Sequence, residues 1–270
     1  MILSDIHVHT TFCDGKNSAE EMLSEALRKG FVSLGFSGHS YTSFDGSWCM
    51  SKEGTEKYIA EILSLREKYA GKIEVLLGTE RDFFSDEDSH EYDYVIGSSH
   101  YVKVKNEYLT VDKSEAEQRR IIDEYFGSKP LDFVKAYYSQ EAKIVEKTHC
   151  GVIGHFDLVT KFNEGGKLFD EDSAEYKRTV FEALETIVAS RPFFEVNTGA
   201  ITRGYRSRPY PADFVLEYVS AHGCGLVITS DCHRKALLGG SFAETEKHLR
   251  EKGLNNIYIL TGKGFVPTEF

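Results

Sequence analysis

The sequence has no long hydrophobic run, since no stretch approaches the roughly 20 apolar residues that a membrane span needs. Asp5 interrupts the N-terminal residues before an apolar run can form, so we expect no signal peptide. Positive charge is also scarce, because 32 lysines and arginines face 43 aspartates and glutamates, for a formal net charge of -11. A protein this acidic repels the phosphate backbone. We therefore expect neither a membrane nor a nucleic acid as its partner.

Paired cysteine motifs are missing as well. The five cysteines form no C-x-x-C motif, their number is odd, and the chain of 270 residues is not small. Disulfide frameworks are typical of small secreted proteins in oxidising compartments. The cysteine content therefore indicates a reduced, cytoplasmic protein.

Short apolar runs alternate with longer amphipathic runs, and no G-x-G-x-x-G fingerprint, internal repeat or linker interrupts them. Strands are predicted at 2–9, 32–38, 73–79, 94–99, 152–156, 193–197, 226–230 and 256–260. Helices are predicted at 18–30, 55–70, 114–127, 130–148, 172–190, 211–222 and 242–252. The strands are apolar on both faces, as a parallel sheet covered by helices requires. This pattern favours an α/β barrel over a dinucleotide-binding sheet, in one domain spanning residues 1–270.

Most of the predicted strands deliver a histidine or a carboxylate where they leave the core. His7 and His9 share one face of the first strand, because side chains alternate along a strand. The later strand ends carry His39, Glu80, His100, His155, Asp157, Glu195, Asp231 and His233. In a parallel barrel these ends meet at one rim, where such folds carry their chemistry. Imidazole and carboxylate are ligands for zinc, manganese and iron, so the sequence predicts a metal site there.

Three further features belong to this prediction. Asp5 lies one step deeper on the face of His7 and His9, where it either orients a ligand imidazole or binds the backbone of the barrel floor. The segments 40–54 and 101–113 follow strand ends and are interpreted as active-site loops. The remaining histidines are interpreted as surface residues: His90, His149, His222 and His248.

At these positions the sequence resembles the PHP family (polymerase and histidinol phosphatase). The matching motifs run from Asp5 to His233 in the family's order: DIHVHTTFCDG, GFSGHS, LLGTE, VIGSSH, GHFD and ITSDCH. The resemblance implies a distorted, seven-stranded (β/α) barrel of the TIM type. It also implies a trinuclear metal centre that holds three divalent ions of zinc, manganese or iron.

The resemblance further implies which residues bind each ion. The first ion would be bound by His7, His9, Glu80 and Asp231. Glu80 would bridge to the second ion, which His100 and His155 also bind. The third ion would be bound by Asp14, His39 and His233. Asp14 stands where many family members have a histidine.

Within the family, the chain length and the stretch EVNTGAITRGYRSRPYP resemble the stand-alone histidinol-phosphate phosphatases. This likeness implies hydrolysis of L-histidinol phosphate to L-histidinol and phosphate, a reaction of histidine biosynthesis. The attack would come from a metal-activated hydroxide, with Glu80, Asp231 and His233 as catalytic residues. No side-chain nucleophile is needed, and no G-x-S-x-G motif offers one.

Basic residues that could bind the phosphate follow two of the rim strands. Arg203 and Arg206 come after the strand that ends near Asn197, and guanidinium forks match the geometry of a phosphate. Lys161, after GHFDLVT, is a further candidate. The expected partner is therefore a small phosphate monoester. The oligomeric state stays open.

Three alternatives stand beside this interpretation. A phosphoesterase of the same family could act on nucleotides or short nucleic acids, although a nuclease would want a basic track with stacking aromatics. A non-catalytic metal-binding barrel would lack ligands, whereas all motif positions here carry ligand-competent residues. An amidohydrolase-like enzyme would commonly add a carboxylated lysine, and no predicted strand ends in lysine.

Overall fold

Helices and strands alternate along residues 3–268, which are the residues that the computed structural model describes. The strands are β1 Ser4–Asp5, β2 Ser33–Phe36, β3 Glu74–Asp82, β4 Tyr94–Ser98, β5 Tyr101–Val104, β6 Glu107–Thr110, β7 Val152–Ile153, β8 Phe193–Asn197, β9 Leu226–Thr229, β10 Tyr258–Thr261 and β11 Gly264–Pro267. The helices are α1 Ala19–Lys29, α2 Lys52–Lys68, α3 Glu115–Phe126, α4 Pro130–Glu141, α5 Ile144–Thr148, α6 Ala174–Ile187, α7 Gly199–Thr202, α8 Asp213–Ala221 and α9 Phe242–Glu251. Within this described part, no helix is both long and apolar enough to cross a membrane.

Seven parallel strands form the central sheet in the order β1-β2-β3-β4-β7-β8-β9. Residues 74–77 of β3 pair with β2, and residues 78–82 of β3 pair with β4. Strands that are tilted in a barrel require such a stagger. The two outer strands meet at their carboxyl ends, where Val8 forms a parallel bridge with Cys232. The backbone N–H of His9 donates to the Cys232 carbonyl at 2.9 Å. The sheet is therefore a barrel closed at this rim, and the predicted seven-stranded architecture is confirmed.

The predicted strand at 256–260 is not a barrel strand. β10 pairs antiparallel with β11 in a separate hairpin. This hairpin lies at the amino end of the barrel, where Ile257 bridges Leu226 of β9 and the Ser33 hydroxyl of β2 donates to the Leu260 carbonyl at 2.8 Å. β10 therefore lies between the amino ends of β1 and β9, which do not pair with each other there. Its apolar residues pack against the interior of the barrel, although β10 is not a strand of the barrel sheet.

Two other predicted elements need correction. The segment 101–113, predicted as a loop, contains the hairpin β5–β6, in which Tyr101 pairs with Thr110. The single helix predicted at 130–148 is divided into α4 and α5. The segment 40–54 is irregular up to Ser51, which caps α2.

The helices begin and end where their local chemistry allows it. Ser18 accepts a hydrogen bond from the Glu21 N–H, and the Glu21 side chain accepts one from the Ser18 N–H, which forms a capping box at the start of α1. Gly30 ends α1 with φ of 81°, a left-handed conformation that costs glycine little. The buried side of α1 carries Met22 and Leu23.

The floor of the barrel is filled by the ring of Tyr94. Its hydroxyl donates to the Ile6 carbonyl at 2.6 Å and lies 3.0 Å from the Phe36 carbonyl. Ile6 directly follows β1, and Phe36 is the last residue of β2. Gly35 and Gly78 leave the space that this ring occupies, because a Cβ at either position would overlap it. The packed floor closes one end of the barrel, so a ligand can enter only from the opposite rim.

Candidate metal centre

The rim of the barrel gathers nine imidazole and carboxylate side chains into one cluster. They are His7, His9, Asp14, His39, Glu80, His100, His155, Asp231 and His233. All except Asp14 and His233 are buried. These are the nine residues that the motifs single out. Most of them follow a strand at this rim, whereas Glu80 lies within β3 and Asp14 lies in a turn beyond His9.

Glu80 of β3 lies at the centre, and its two carboxylate oxygens face different imidazoles. Oε2 lies 3.1 Å from His7 Nε2 and 3.5 Å from His9 Nε2. Oε1 lies 2.9 Å from His155 Nε2 and 3.5 Å from His100 Nε2. Glu80 thus contacts different imidazoles through its two separate oxygens.

Two further carboxylates complete the groups around Glu80. Asp231 Oδ1 lies 3.4 Å from His9 Nε2 and 3.7 Å from His7 Nε2. Asp14 Oδ2 lies 3.1 Å from His233 Nε2, and its Oδ1 lies 3.6 Å from His39 Nε2. His39 also approaches Glu80 Oε2 through Nδ1, at 2.9 Å. The possible ligand atoms fall into four overlapping groups, and His7, His9, His39 and Glu80 each belong to two of them.

The directions of these atoms fit ion binding better than hydrogen bonding. Among the described residues, buried atoms without a hydrogen-bond partner include His7 Nε2, His9 Nε2, Asp14 Oδ1, His39 Nδ1 and Glu80 Oε2. A buried polar atom without a partner is costly. Imidazole nitrogen and carboxylate oxygen are the usual ligands of a divalent ion, so these unpartnered atoms suit ion binding.

The charges within the cluster favour the ligand forms of His9 and Glu80. Burial first, and then the neighbouring His233 and His39, lower the pKa of His9 to about 3, so its ring stays neutral. Burial acts to raise the pKa of Glu80, but the surrounding imidazoles His7, His39 and His100 hold it well below its ordinary value. Burial acts to lower the pKa of His7 and of His100, but neighbouring carboxylates raise the pKa of His7 well above its ordinary value and that of His100 to about 9. A neutral imidazole and an ionised carboxylate are the forms that bind a metal.

Side chains behind the cluster orient its imidazoles. Glu195 of β8, which is buried, contacts His7 Nδ1 with one oxygen and accepts from the backbone N–H of His155 at 2.7 Å with the other. Asp82 Oδ2 lies 3.2 Å from His100 Nδ1 and accepts from the backbone N–H of His100 at 2.8 Å. Such contacts fix the tautomer of a ligand histidine and leave Nε2 for the ion.

The role of Asp5 is decided between the two that the sequence left open. Its carboxylate accepts from the backbone N–H of His7 at 3.1 Å and of Ser230 at 3.2 Å, and it also contacts the Ser230 hydroxyl. It thus joins β1 to the end of β9 rather than contacting an imidazole ring of the cluster. Burial raises the pKa of Asp5 to about 7.

The sequence pattern does not identify Glu195 and Asp82 as residues that position ligand histidines. Glu195 has the same strand-end position as the predicted ligands, so position alone could not separate a ligand from a residue behind it. Asp82 follows Glu80 by two residues on β3, and this shared face was the available signal.

A cavity of about 900 Å³ opens beside the cluster, and its described lining includes His39, His233, Lys161 and Arg203. Arg203 donates from Nη1 to the Asp231 carbonyl and from Nη2 to Asp231 Oδ2, both at 2.8 Å. Asp231 has a left-handed φ of 48°, and the Arg203 fork therefore holds a strained residue in place.

The two other predicted phosphate-binding residues occupy different surroundings. Lys161 lines the cavity, with its Nζ 3.3 Å from Asp112 Oδ2. Arg206 is not among the described residues that line the cavity, and it donates to the Thr160 carbonyl at 2.6 Å and to Glu171 Oε1 at 2.8 Å. The structure therefore brings Arg203 and Lys161 to the cavity but leaves Arg206 bound to a neighbouring loop.

The histidines interpreted as surface residues lie away from the cluster. His149 and His222 are exposed. His90 and His248 are half-buried, and they pair with Asp88 and Asp213 respectively.

The sequence model of the PHP domain matches residues 5–199. The chain belongs to the PHP domain family. The match begins at Asp5 and includes every cluster residue of this PHP domain from His7 to His155, whereas Asp231 and His233 lie beyond it.

Individual relatives extend the similarity over most of the chain. The histidinol-phosphatase of Bacillus subtilis (strain 168) is 29% identical over 264 residues, which cover 88% of this chain and 96% of the relative. The barrel also resembles the crystal structure of the histidinol phosphate phosphatase of Lactococcus lactis subsp. lactis Il1403, which contains zinc, L-histidinol and phosphate. The TM-score is 0.72 at 18% identity, and the match covers 97% of this chain and 98% of that chain. A Listeria monocytogenes structure reaches a TM-score of 0.77 at 19% identity, with 90% and 99% coverage. These structures confirm the barrel fold.

Proposed function

We propose that this PHP domain is a histidinol-phosphate phosphatase, which hydrolyses L-histidinol phosphate to L-histidinol and phosphate in histidine biosynthesis. The observation that carries the proposal is the convergence of nine ligand-competent side chains beside a cavity that Lys161 and Arg203 line. The Bacillus subtilis relative, similar over nearly its whole length, bears the name of this activity. The residues 1–270 would act together as one phosphoesterase domain.

The proposed ions would be divalent zinc, manganese or iron, three to each chain. Their ligands would be the sets given by the motifs, with Glu80 shared between two ions through its separate oxygens. The chemistry that such ions supply when bound is neutralisation of the phosphate charge, activation of water and stabilisation of the leaving oxygen. The orphaned nitrogen and oxygen atoms of the cluster support this assignment.

The remaining residues would bind the phosphate and move protons. Lys161 offers a compact positive charge in the cavity wall, and Arg203 adds a second beside Asp231. His233 lines the cavity, and its Nδ1 lies 3.4 Å from Asp231 Oδ1. This pair would accept the proton that the attacking water loses and return it to the leaving oxygen.

Phosphate release by the zinc- or manganese-loaded protein tests this function. L-histidinol phosphate, AMP and a phosphodiester are compared by kcat/KM under the same conditions. We expect a preference for L-histidinol phosphate of about a hundredfold or more, which corresponds to roughly 2.7 kcal/mol in the transition state. Equal rates on the three esters, or a preference for AMP or the diester, would contradict the substrate assignment and leave the metal centre to be tested separately.

A further inference from the structure

The cavity beside the cluster has an uneven distribution of charge. Lys161 and Arg203 bring positive charge to the wall next to Asp231. Outside the ligand cluster, the described part of the lining contains two carboxylates, Asp45 and Asp112. A substrate that carries both a phosphate and a positive charge could use both kinds of wall, so the surroundings of these two carboxylates decide where its cation binds.

Asp112 already has a cationic partner. Its Oδ2 lies 3.3 Å from Lys161 Nζ, and its Oδ1 accepts from the Thr110 hydroxyl at 3.1 Å. The charge of Lys161 therefore compensates the charge of Asp112. Binding a second cation at Asp112 would bring two positive charges close together, which is unfavourable.

Asp45 has only neutral partners among the described residues. Its Oδ1 accepts from the Ser47 hydroxyl at 2.6 Å and from the Ser47 N–H at 3.2 Å, and its Oδ2 accepts from the Tyr101 hydroxyl at 2.7 Å. Partial burial acts to raise the pKa of Asp45, but these hydrogen bonds hold it below its ordinary value. Asp45 is therefore a fixed negative charge at the cavity, without a compensating cation.

Aromatic rings connect Asp45 to the metal cluster. The indole N–H of Trp48 donates to the Tyr101 hydroxyl at 2.6 Å. The Trp48 ring lies edge-on to the His39 ring, with 4.4 Å between their centroids. Trp48 and Tyr101 both line the cavity, so they form a wall that runs from the cluster to the Asp45 carboxylate. Ring faces and a carboxylate together suit a flat or ammonium-type cation.

The wall is built from two segments that hold each other in place. Asp45 and Trp48 belong to the loop between β2 and α2, whereas Tyr101 begins the hairpin β5–β6. The Phe44 ring of the loop stacks on the Tyr108 ring of the hairpin, with 3.7 Å between centroids and an interplanar angle of 6°. This contact fixes the position of Asp45 before any ligand arrives, which lowers the entropic cost of binding.

We propose that Asp45, Trp48 and Tyr101 form a subsite for the cationic end of the substrate, and that Asp45 determines specificity for phosphate monoesters that carry a positive charge. This inference rests on the proposed function, in which the phosphate lies at the cluster and an amine and an imidazole extend from it. The ester oxygen lies at the cluster, the cation lies at Asp45, and the aromatic wall contacts the part between them.

The chain offers a direct probe of this subsite, because Trp48 is its single tryptophan. Trp48 emission is followed while L-histidinol, and separately inorganic phosphate, is added to the metal-loaded wild-type protein and to Asp45→Asn. The asparagine keeps an oxygen that accepts from Tyr101 but removes the charge. We expect the Kd for L-histidinol to rise about 30-fold, the typical loss for a charge-assisted hydrogen bond, and the Kd for phosphate to stay unchanged.

Two further variants separate charge recognition from loop structure. Asp86→Asn is the matched control, because Asp86 anchors the same loop by accepting from the Ser43 N–H at 2.7 Å yet is not among the described lining residues. Its Kd values should equal those of the wild type. Asp112→Asn tests the competing carboxylate. The proposal fails if Asp45→Asn leaves both affinities unchanged, if it weakens both ligands equally, or if only Asp112→Asn weakens L-histidinol binding.

A matched pair of phosphonates, which have no ester bond that the protein could hydrolyse, keeps this test separate from the test of the proposed function. Binding of 2-aminoethylphosphonate and 2-hydroxyethylphosphonate is measured by the same emission change, since the two differ only in an ammonium and a hydroxyl. The wild type should favour the ammonium compound, and Asp45→Asn should abolish that preference. If histidinol phosphate proves not to be the substrate but this result holds, the subsite stands and the proposed function fails. A preference that Asp45→Asn leaves intact would overturn the subsite.

Discussion

Glu195 contacts His7 of the strand-end cluster at Nδ1, on the side away from Glu80. We predict that Glu195→Gln lowers the affinity of the protein for its tightest-bound ion by about 10- to 100-fold, because a neutral amide no longer strengthens His7 as a ligand. Competition against a chelator of known affinity measures this change. Asp82→Asn, which alters the same kind of contact at His100, serves as the comparison. Unchanged metal affinity in both variants would show that these carboxylates only fill space.

Glu141 of α4 is fully buried, and burial raises its pKa from 4.5 to about 8. A carboxyl group whose pKa is higher in the folded state favours folding while it is protonated. The contribution of the protonated carboxyl group to the free energy of unfolding is fully present below pH 4.5 and is lost as the pH rises to about 8. We predict that the free energy of unfolding of Glu141→Gln equals that of the wild type at low pH. By pH 9, the variant should be more stable than the wild type by a few kcal/mol, because only the wild type then buries an ionised carboxylate.

Urea denaturation of wild type and Glu141→Gln at a series of pH values checks this prediction. The difference between the two proteins is the informative quantity, since other groups titrate equally in both. A difference that does not change between pH 4.5 and pH 9 would mean that Glu141 is ionised in the folded protein.

At the scale of elements, β3 and β4 meet at Tyr94, whose ring occupies the space above Gly78. We predict that Gly78→Ala lowers the free energy of unfolding by about 1–3 kcal/mol, because a Cβ there overlaps the ring of a packed core residue. Gly151→Ala is the matched control, since a Cβ at Gly151 meets nothing within 4 Å. Chemical denaturation of both variants measures the effect, and equal losses in the two would contradict the account of the barrel floor.

The sequence was informative about those elements whose stabilisation is local or repetitive. Buried parallel strands are apolar on both faces, so the seven strands of the barrel could be recognised from their composition. The hairpin β5–β6 could not be recognised in this way, because each of its strands has only four residues. The hairpin also depends on a tertiary contact, in which its Tyr108 ring stacks on Phe44 of another loop. β10 had the composition of a barrel strand, and only the tertiary arrangement decides that it pairs with β11.

At the scale of the whole molecule, the candidate site could be predicted because the fold imposes it. Parallel strands bring their carboxyl ends to one rim, so polar residues at those ends converge although they are far apart in sequence. Arg206 shows the limit of this reasoning, since it follows the same strand as Arg203 but turns towards Glu171. The contact of Asp45 with Tyr101 likewise depends on how two loops pack, which no local pattern encodes.

The central claim is that the strand-end cluster holds the ions on which phosphate ester hydrolysis depends. The most direct measurement strips the protein with a chelator and then follows L-histidinol phosphate turnover and bound metal together as manganese or zinc is returned. We predict no turnover in the stripped protein and recovery that is complete at about three ions per chain, with Glu80→Gln binding fewer ions and staying inactive. Full turnover by the stripped protein, or by Glu80→Gln, would contradict the account.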